Sequence, residues 1–256
     1  MSMRGSLIAL LLGAVTSQAA FAVSFQPARI GNQETSLANL IGFPDIPGDY
    51  TLYVRCEVRV GPAGGIFEIG CYSDPDVDSR FYRAISLSAE SATLLPASVD
   101  GENVSSLVMV TVVFRSRGGE RVKAVIPNHG TNAKELGLNY IAPQRYGNNR
   151  YEPRSEIGLV WADASIDVNG QVHALEFVET KWSNREAKRY GTEYMEGNRF
   201  MPGFVDGEPY AMRFVKPIFG FRNGFMWMDD DSKCRSSSIN CEEYSRSGRS
   251  RYVFDD

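Results

Sequence analysis

The chain has 256 residues, of which 27 are Lys or Arg and 31 are Asp or Glu, so its formal net charge is −4. A charged fraction of 23% with 43% hydrophobic residues is typical of a globular protein and excludes general disorder. The negative balance excludes the broad basic surface with which proteins bind nucleic acid. The length is sufficient for one or two domains of ordinary size.

Residues 1–22 have the pattern of an export signal. Arg4 supplies one positive charge, and Leu7–Val15 is an apolar run shorter than the roughly 20 residues that a bilayer span needs. Ala20-Phe21-Ala22 then forms a small-x-small site, which predicts cleavage between Ala22 and Val23. We expect a periplasmic mature protein with no membrane span. The alternative is an uncleaved signal that anchors the chain in the inner membrane.

The sequence predicts two β-hairpins, the first over 52–72 and the second over 160–178. Each begins one unit of an internal repeat that is described below. In the first hairpin, Val60 is placed opposite Phe67, because strand side chains alternate between the two faces. In the second, Asn169-Gly170 is a strong turn dipeptide.

The four cysteines fall into two locally favoured pairs. The register of the first hairpin also places Cys56 opposite Cys71, and Cys234 and Cys241 close a short loop near the end of the chain. The alternatives are a redox pair or metal ligands, but neither pair has CxxC spacing or a neighbouring histidine. We therefore predict structural disulfides, and no metal or cofactor.

The repeat itself is the most informative feature of the sequence. The segment LLPASVDGEN at 94–103 returns as FMPGFVDGEP at 200–209, displaced by 106 positions. The same displacement relates apolar positions of the hairpins and of the last strands. It predicts two homologous units, at 47–117 and 154–223.

A helix and a third strand follow the hairpin in both units. Ser183–Glu186 forms a capping box before the second helix. The third strands are predicted over 104–114 and 210–219. Asp78 is placed to cap the first helix, whose apolar face contains Phe81, Ile85 and Ala89. The predicted fold class is α+β, with two repeated β-β-α-β units, each a small antiparallel sheet with one helix on a face.

The remaining segments have loop composition. Residues 118–153 are rich in Gly, Asn and Pro, which predicts a linker with local order only around Ala133–Leu138. Residues 224–256 are rich in Ser, Arg and Asp, which predicts a polar tail that contains the small disulfide loop.

The repeated pattern resembles the C-terminal domain of TonB-type energy transducers. The second unit matches the family motifs at Asp167–Val172, Arg199–Gly203 and Asp206–Pro209, and the first keeps Leu94–Ala97 and Asp100–Glu102. The resemblance covers a little over half of the chain. It implies tandem TonB C-terminal-like domains that bind an envelope protein or peptide, such as an outer-membrane receptor.

In that family an extended partner segment adds a strand beside the last strand of the domain. The equivalent edges would lie at 107–114 and 212–219, and their residues would be Val108, Val110, Val112, Met212, Phe214 and Ile218. The alternative is that the rest of the chain covers both edges.

The sequence offers little that indicates catalysis. His129 lies in the linker, and His173, placed opposite Ile166, is interpreted as a residue of the apolar sheet wall. No nucleophile elbow, HExxH, P-loop or dinucleotide motif occurs. We therefore predict a non-enzymatic binding or adaptor protein. The alternatives are a membrane-anchored transducer, which acts in transmembrane transport, and an exported enzyme with a site between the two units.

Overall fold

A computed structural model describes residues 23–72, 77–147, 158–179 and 185–220. These residues form four sheets and four helices, with far more strand than helix. The predicted signal, the Cys234–Cys241 loop and Ser183 lie outside the described residues.

We call residues 23–117 the first half, 118–153 the connector and 158–220 the second half. The first half contains β1 (Phe25–Gln26), α1 (Leu37–Leu40), β2 (Tyr50–Val60), β3 (Ile66–Tyr72), α2 (Ser79–Ala89), β4 (Ala97–Val99), β5 (Glu102–Val104) and β6 (Ser106–Arg117). The connector adds β7 (Glu120–Ile126), α3 (Ala133–Leu136) and β8 (Gln144–Tyr146). The second half contains β9 (Gly158–Ile166), β10 (Val172–Glu179), α4 (Arg185–Gly197), β11 (Arg199–Met201), β12 (Gly203–Val205), β13 (Glu208–Tyr210) and β14 (Met212–Gly220).

The first hairpin confirms the predicted disulfide between Cys56 and Cys71. These residues face each other in the β2–β3 ladder and are joined by a bond. The predicted pairing of Val60 with Phe67 is wrong, because the register shifts next to Val60 and places Ile66 opposite it. Phe67 is consequently exposed on the surface.

Helix α2 begins as the sequence predicts. The Asp78 carboxylate accepts a hydrogen bond from the Arg80 backbone N–H at 2.9 Å, which satisfies one of the free amides at the helix start. The side-chain hydrogen bond from Arg80 lowers the pKa of Asp78 to about 2. The predicted apolar face, Phe81, Ile85 and Ala89, is buried in the core.

The connector departs from the predicted loop. Gly118 and Gly119 both have positive φ (55° and 86°), and they form a tight turn from which β7 returns antiparallel to β6. Strand β6 therefore lies between β2 and β7, and its Val108, Val110 and Val112 are buried. Of the two alternatives for the edge at 107–114, the structure has the covered one, since β8 pairs with β6 at Leu107 and β7 pairs with it at 111–114.

Strands from all three parts of the chain share one sheet. Its order is β11-β8-β6-β2-β3, and β7 also pairs with β6. Met201 of β11 is buried in the core of the first half. In return, Met109 of β6 is buried in the core that α4 forms with β9 and β14. The two halves are interlocked, since each core contains a residue from the other half.

The predicted α+β fold with two repeated β-β-α-β units is therefore wrong. The described chain is mostly β, with one six-stranded sheet, two three-stranded sheets and one two-stranded sheet. The physical reason lies in the segment that was predicted to be a linker, because its residues form strands. One of these strands, β8, pairs with both β6 and β11 and so brings β11 into the sheet of the first half.

A buried ion pair joins the two halves. Glu57 of β2 and Lys216 of β14 are in direct contact, and each side chain is only 7% exposed. The Lys216 ammonium and the Arg145 guanidinium also lie over the Tyr194 ring, at 5.6 Å and 5.3 Å from its centroid. The second half thus covers the face of the large sheet on which Glu57 and Arg145 lie.

His129 of the connector lies next to this interface. Its ring is buried, and Nε2–H donates to the Cys56 carbonyl at 2.9 Å. Burial lowers the pKa of His129 to about 4, because the charged imidazolium would lose its hydration. The side chain is therefore neutral in the folded protein near pH 7.

Breaking the ion pair should destabilise the protein far more than breaking an exposed one. Lys216→Met leaves Glu57 charged, buried and unpaired, and we expect a loss of about 3–5 kcal/mol in the free energy of unfolding. The double variant Glu57→Gln/Lys216→Met should lose less than the sum of the single variants. Urea unfolding measures both.

The control is Arg189→Met, which breaks an exposed ion pair with Glu186 and should lower the free energy of unfolding by less than about 1 kcal/mol. If Lys216→Met lost no more than this control, the result would contradict the account.

The neutral His129 should make stability fall with decreasing pH. Its pKa is below the ordinary value of 6.5 in the folded state, so between pH 6.5 and about 4 only the unfolded chain takes up the proton. The stabilisation is complete above pH 6.5, and about 3 kcal/mol is lost by pH 4. Urea unfolding at pH 7, 5.5 and 4 should show that the free energy of unfolding falls more steeply with decreasing pH in the wild type than in His129→Gln. Parallel pH profiles would show that His129 does not titrate in this way.

Candidate functional site

A groove lies where the start of the first half, β8, the β9–β10 turn and the end of α4 meet. Its volume is about 410 Å³, a size that suits a small ligand or a few residues of a peptide. The polar residues that line it are Asn169, Gln171, Glu196, Asn198 and Arg199, and its apolar residues include Phe25, Val172, Met195 and Phe200. We refer to this candidate site as the groove.

The β9–β10 turn forms one wall of the groove. Asp167 Oδ1 accepts hydrogen bonds from the backbone N–H groups of Asn169 (2.9 Å) and Gln171 (2.8 Å). Gly170 has φ +78°, and a Cβ built on it would lie 1.9 Å from the Phe200 carbonyl oxygen. Only glycine therefore allows the turn to approach β11 so closely. This contact holds Asn169 and Gln171 at the groove.

The residue after α4 carries an unsatisfied acceptor. Asn198 is only 9% exposed, and its Nδ2 donates to the Tyr194 carbonyl at 2.6 Å. Its Oδ1 is buried and has no hydrogen-bond partner among the described residues. Such an orphan costs about 1–3 kcal/mol. A ligand N–H that reached Oδ1 would recover this energy.

Two opposite charges at the groove have no ion-pair partner among the described residues. The Arg199 guanidinium lies over the Tyr146 ring, 5.8 Å from its centroid, and is exposed. In the part of the chain that the structure describes, no carboxylate pairs with Arg199 and no cation pairs with Glu196. Both groups are therefore open to a ligand.

The start of the first half forms the opposite wall. Phe25 packs edge-on against Tyr146, with the ring centroids 6.2 Å apart. The fully buried Gln144 accepts from the Ala28 N–H at 2.9 Å and donates to the Ala28 carbonyl at 2.7 Å. The side-chain amide thus pairs with the backbone as a neighbouring strand would. It fixes the segment that begins at Val23 beside the second half.

The structure places the other predicted site residues as follows. Val23 lines the groove, whereas Ala22 lies outside the described residues. Met212, Phe214 and Ile218 lie in β14, at one end of the β10-β9-β14 sheet, with their side chains buried in the second core. The connector covers part of this strand, since Asn132 Nδ2 donates to the Arg213 carbonyl at 2.8 Å. Strand addition beside β14 stays a prediction.

The two histidines do not come together in a site. His173 is exposed, and its Nε2 lies 3.0 Å from Asp167 Oδ2. The predicted wall position is wrong, because His173 pairs with Ser165, and Val172 lies opposite Ile166. Among the described residues, no group of three His, Cys, Asp or Glu side chains is placed to hold a metal ion.

Sequence reasoning did not find the groove. The Asn169-Gly170 turn was predicted, but its contact with Phe200 joins residues that are distant in sequence. Gly64 and Gly170 occupy equivalent positions in the two units of the repeat. This equivalence is the signal that could have indicated that both turns approach another strand closely and need glycine.

No protein-family model, curated protein or solved structure matches this chain. Over the described ranges, no helix has the length and apolar character needed to cross a membrane. The groove is therefore the observation from which a function can be inferred.

Gly170→Ala should destabilise the protein more than Gly207→Ala. Both glycines have positive φ, so each substitution carries a backbone penalty of about 1–2 kcal/mol. A Cβ at Gly207 has open space around it, but one at Gly170 must displace β11. We expect Gly170→Ala to lose at least about 2 kcal/mol more in urea unfolding. Equal losses would show that the turn does not depend on this close approach.

Proposed function

We propose that this chain is an exported protein of the cell envelope that binds an extended segment of a partner protein in the groove. The observation that carries the proposal is Asn198, a residue of the groove lining whose buried Oδ1 has no hydrogen-bond partner among the described residues. A peptide backbone presents N–H donors that can satisfy such an acceptor.

The other groups at the groove support a peptide as the ligand. The side-chain amides of Asn169 and Gln171 can both donate and accept, as peptide groups do. Phe25, Val172 and Phe200 supply apolar surface for the side chains of the bound segment. Because side chains alternate along an extended segment, one face can contact the apolar wall while the other faces solvent.

The proposed compartment is the periplasm. The Cys56–Cys71 disulfide supports it, because disulfides persist in oxidising compartments and are rare in the cytosol. The export pattern of residues 1–22 supports it independently. If residues 1–22 were retained, the protein would instead be anchored in the inner membrane, as transducers of the TonB type are.

The proposed partner is an envelope protein, such as an outer-membrane receptor. This part of the proposal rests on the resemblance of the repeated segments to TonB C-terminal domains. The groove is a different place from the last-strand edge that the family uses. We propose a binding or adaptor role with no catalytic step and no cofactor.

Peptide binding should be detectable at the groove. We expect a pool of random capped heptapeptides to shift the NMR signals of the side-chain amides of Asn169, Gln171 and Asn198 in mature protein with the disulfide intact. Asn198→Leu should weaken binding about tenfold, which corresponds to one lost hydrogen bond of about 1.4 kcal/mol.

The control for this experiment is Asn103→Leu. Asn103 is an exposed asparagine that does not line the groove, so its substitution should leave affinity unchanged. Shifts confined to other surfaces, or no shift at millimolar peptide, would overturn the proposed function. Far-UV circular dichroism and urea unfolding establish that both variants are folded.

A further inference from the structure

The interface between the two halves contains a buried arginine, Arg145 of β8, which is only 6% exposed. Two other cations on the same face of the large sheet have carboxylate partners. Lys216 contacts Glu57 there. Arg59 Nε lies 2.8 Å from Glu68 Oε2. Over the described ranges, by contrast, no carboxylate pairs with the Arg145 guanidinium and no oxygen atom accepts a hydrogen bond from it.

The environment of Arg145 does not use its hydrogen-bond donors. A guanidinium is always charged in proteins, and it carries five N–H donors. Charged side chains are almost never fully buried unless they are paired, because burial removes their hydration. The guanidinium lies over the Tyr194 ring, 5.3 Å from its centroid, and this contact offsets part of the cost of burial. It leaves the N–H donors without an acceptor, which indicates that a ligand supplies one.

A second unsatisfied donor lies beside Arg145. Tyr194 of α4 is also only 6% exposed, and its hydroxyl is buried with no hydrogen-bond partner among the described residues. A buried tyrosine hydroxyl usually has a partner. Because the guanidinium lies over the Tyr194 ring, both groups border the same space. Two neighbouring side chains, each more than nine-tenths buried, therefore lack an acceptor at the same place.

Regular secondary structure positions both side chains. Strand β8 pairs with β6 and β11, so Arg145 lies opposite Leu107 and Phe200. Tyr194 lies on α4 one turn before Asn198, whose Nδ2 donates to the Tyr194 carbonyl at 2.6 Å. The pair of donors thus joins the connector to the second half. It is separate from the groove, because neither Arg145 nor Tyr194 lines the groove.

We propose that Arg145 and Tyr194 bind a small oxyanion, a carboxylate or a phosphate, at the interface between the two halves. The planar guanidinium can donate two parallel N–H bonds to two oxygens of such an anion, and the Tyr194 hydroxyl can donate a third bond. Lys216 adds no net charge to the site, because Glu57 neutralises it. The bound anion would neutralise Arg145 and connect β8 to α4.

Anion titrations of the mature protein test this inference. We expect sodium phosphate or sodium acetate to shift the NMR signals of the Arg145 Nε–H and the Tyr194 ring until they saturate. Sodium chloride at the same ionic strength should not do so, because chloride does not offer two oxygens to the guanidinium. Whether phosphate or acetate binds more tightly identifies the ligand as a phosphate or a carboxylate.

Two variants and a matched control assign the binding to these residues. Arg145→Gln should abolish saturable binding. Tyr194→Phe keeps the ring and removes only the hydroxyl, so it should weaken binding about tenfold, as expected for the loss of a hydrogen bond to a charged group. The control is Tyr50→Phe, which removes a hydroxyl that donates to the Ile46 carbonyl in the first half and should leave the affinity unchanged.

The outcomes decide this inference independently of the peptide groove. Shifts that grow in the same way with all three salts and never saturate would overturn it. An affinity that is unchanged in Arg145→Gln or in Tyr194→Phe would overturn it as well. If Arg145→Gln fails to fold, Tyr194→Phe decides alone, because removal of an unsatisfied buried hydroxyl should not impair folding. None of these results bears on peptide binding in the groove.

Discussion

The buried ion pair between Glu57 and Lys216 is the contact on which the arrangement of the two halves depends. It connects β2 of the large sheet to β14, and both charges are almost completely removed from water. A buried charge is tolerated only with a partner in good geometry, so the position of the second half is narrowly defined. Met109 and Met201, each buried in the core of the other half, add apolar contacts between the halves.

This interlocking also determines where the groove forms. Strand β11 joins the large sheet through β8, and this pairing brings Arg199 next to Tyr146. The Gln144 amide binds the Ala28 backbone and so places the beginning of the first half against the same region. The groove is thus built by residues from both halves and the connector. The Asn198 amide oxygen has no hydrogen-bond partner among the described residues, and a folded protein ordinarily satisfies such a buried polar group, which is why it indicates a ligand.

Local features of the fold could be predicted from the sequence, and non-local pairing could not. The register of Cys56 with Cys71 and the Asp78 cap depend on neighbouring residues, and both are confirmed. The Gly118-Gly119 pair was interpreted as linker, although two adjacent glycines with positive φ also make a hairpin turn. A charged residue such as Glu57 on a strand ordinarily faces solvent, but the second half buries it. The groove escaped prediction for the same reason, since its walls come from segments far apart in the chain.

The central claim is that the groove binds an extended peptide, and photocrosslinking tests it most directly. The pool of random capped heptapeptides would carry a photoreactive leucine at a fixed middle position, and mass spectrometry would identify the protein residues to which the peptides become attached. The account predicts attachment to the apolar residues of the groove, Phe25, Val172 or Phe200. Attachment to the exposed Leu87 of α2, or to another surface away from the groove, would contradict it.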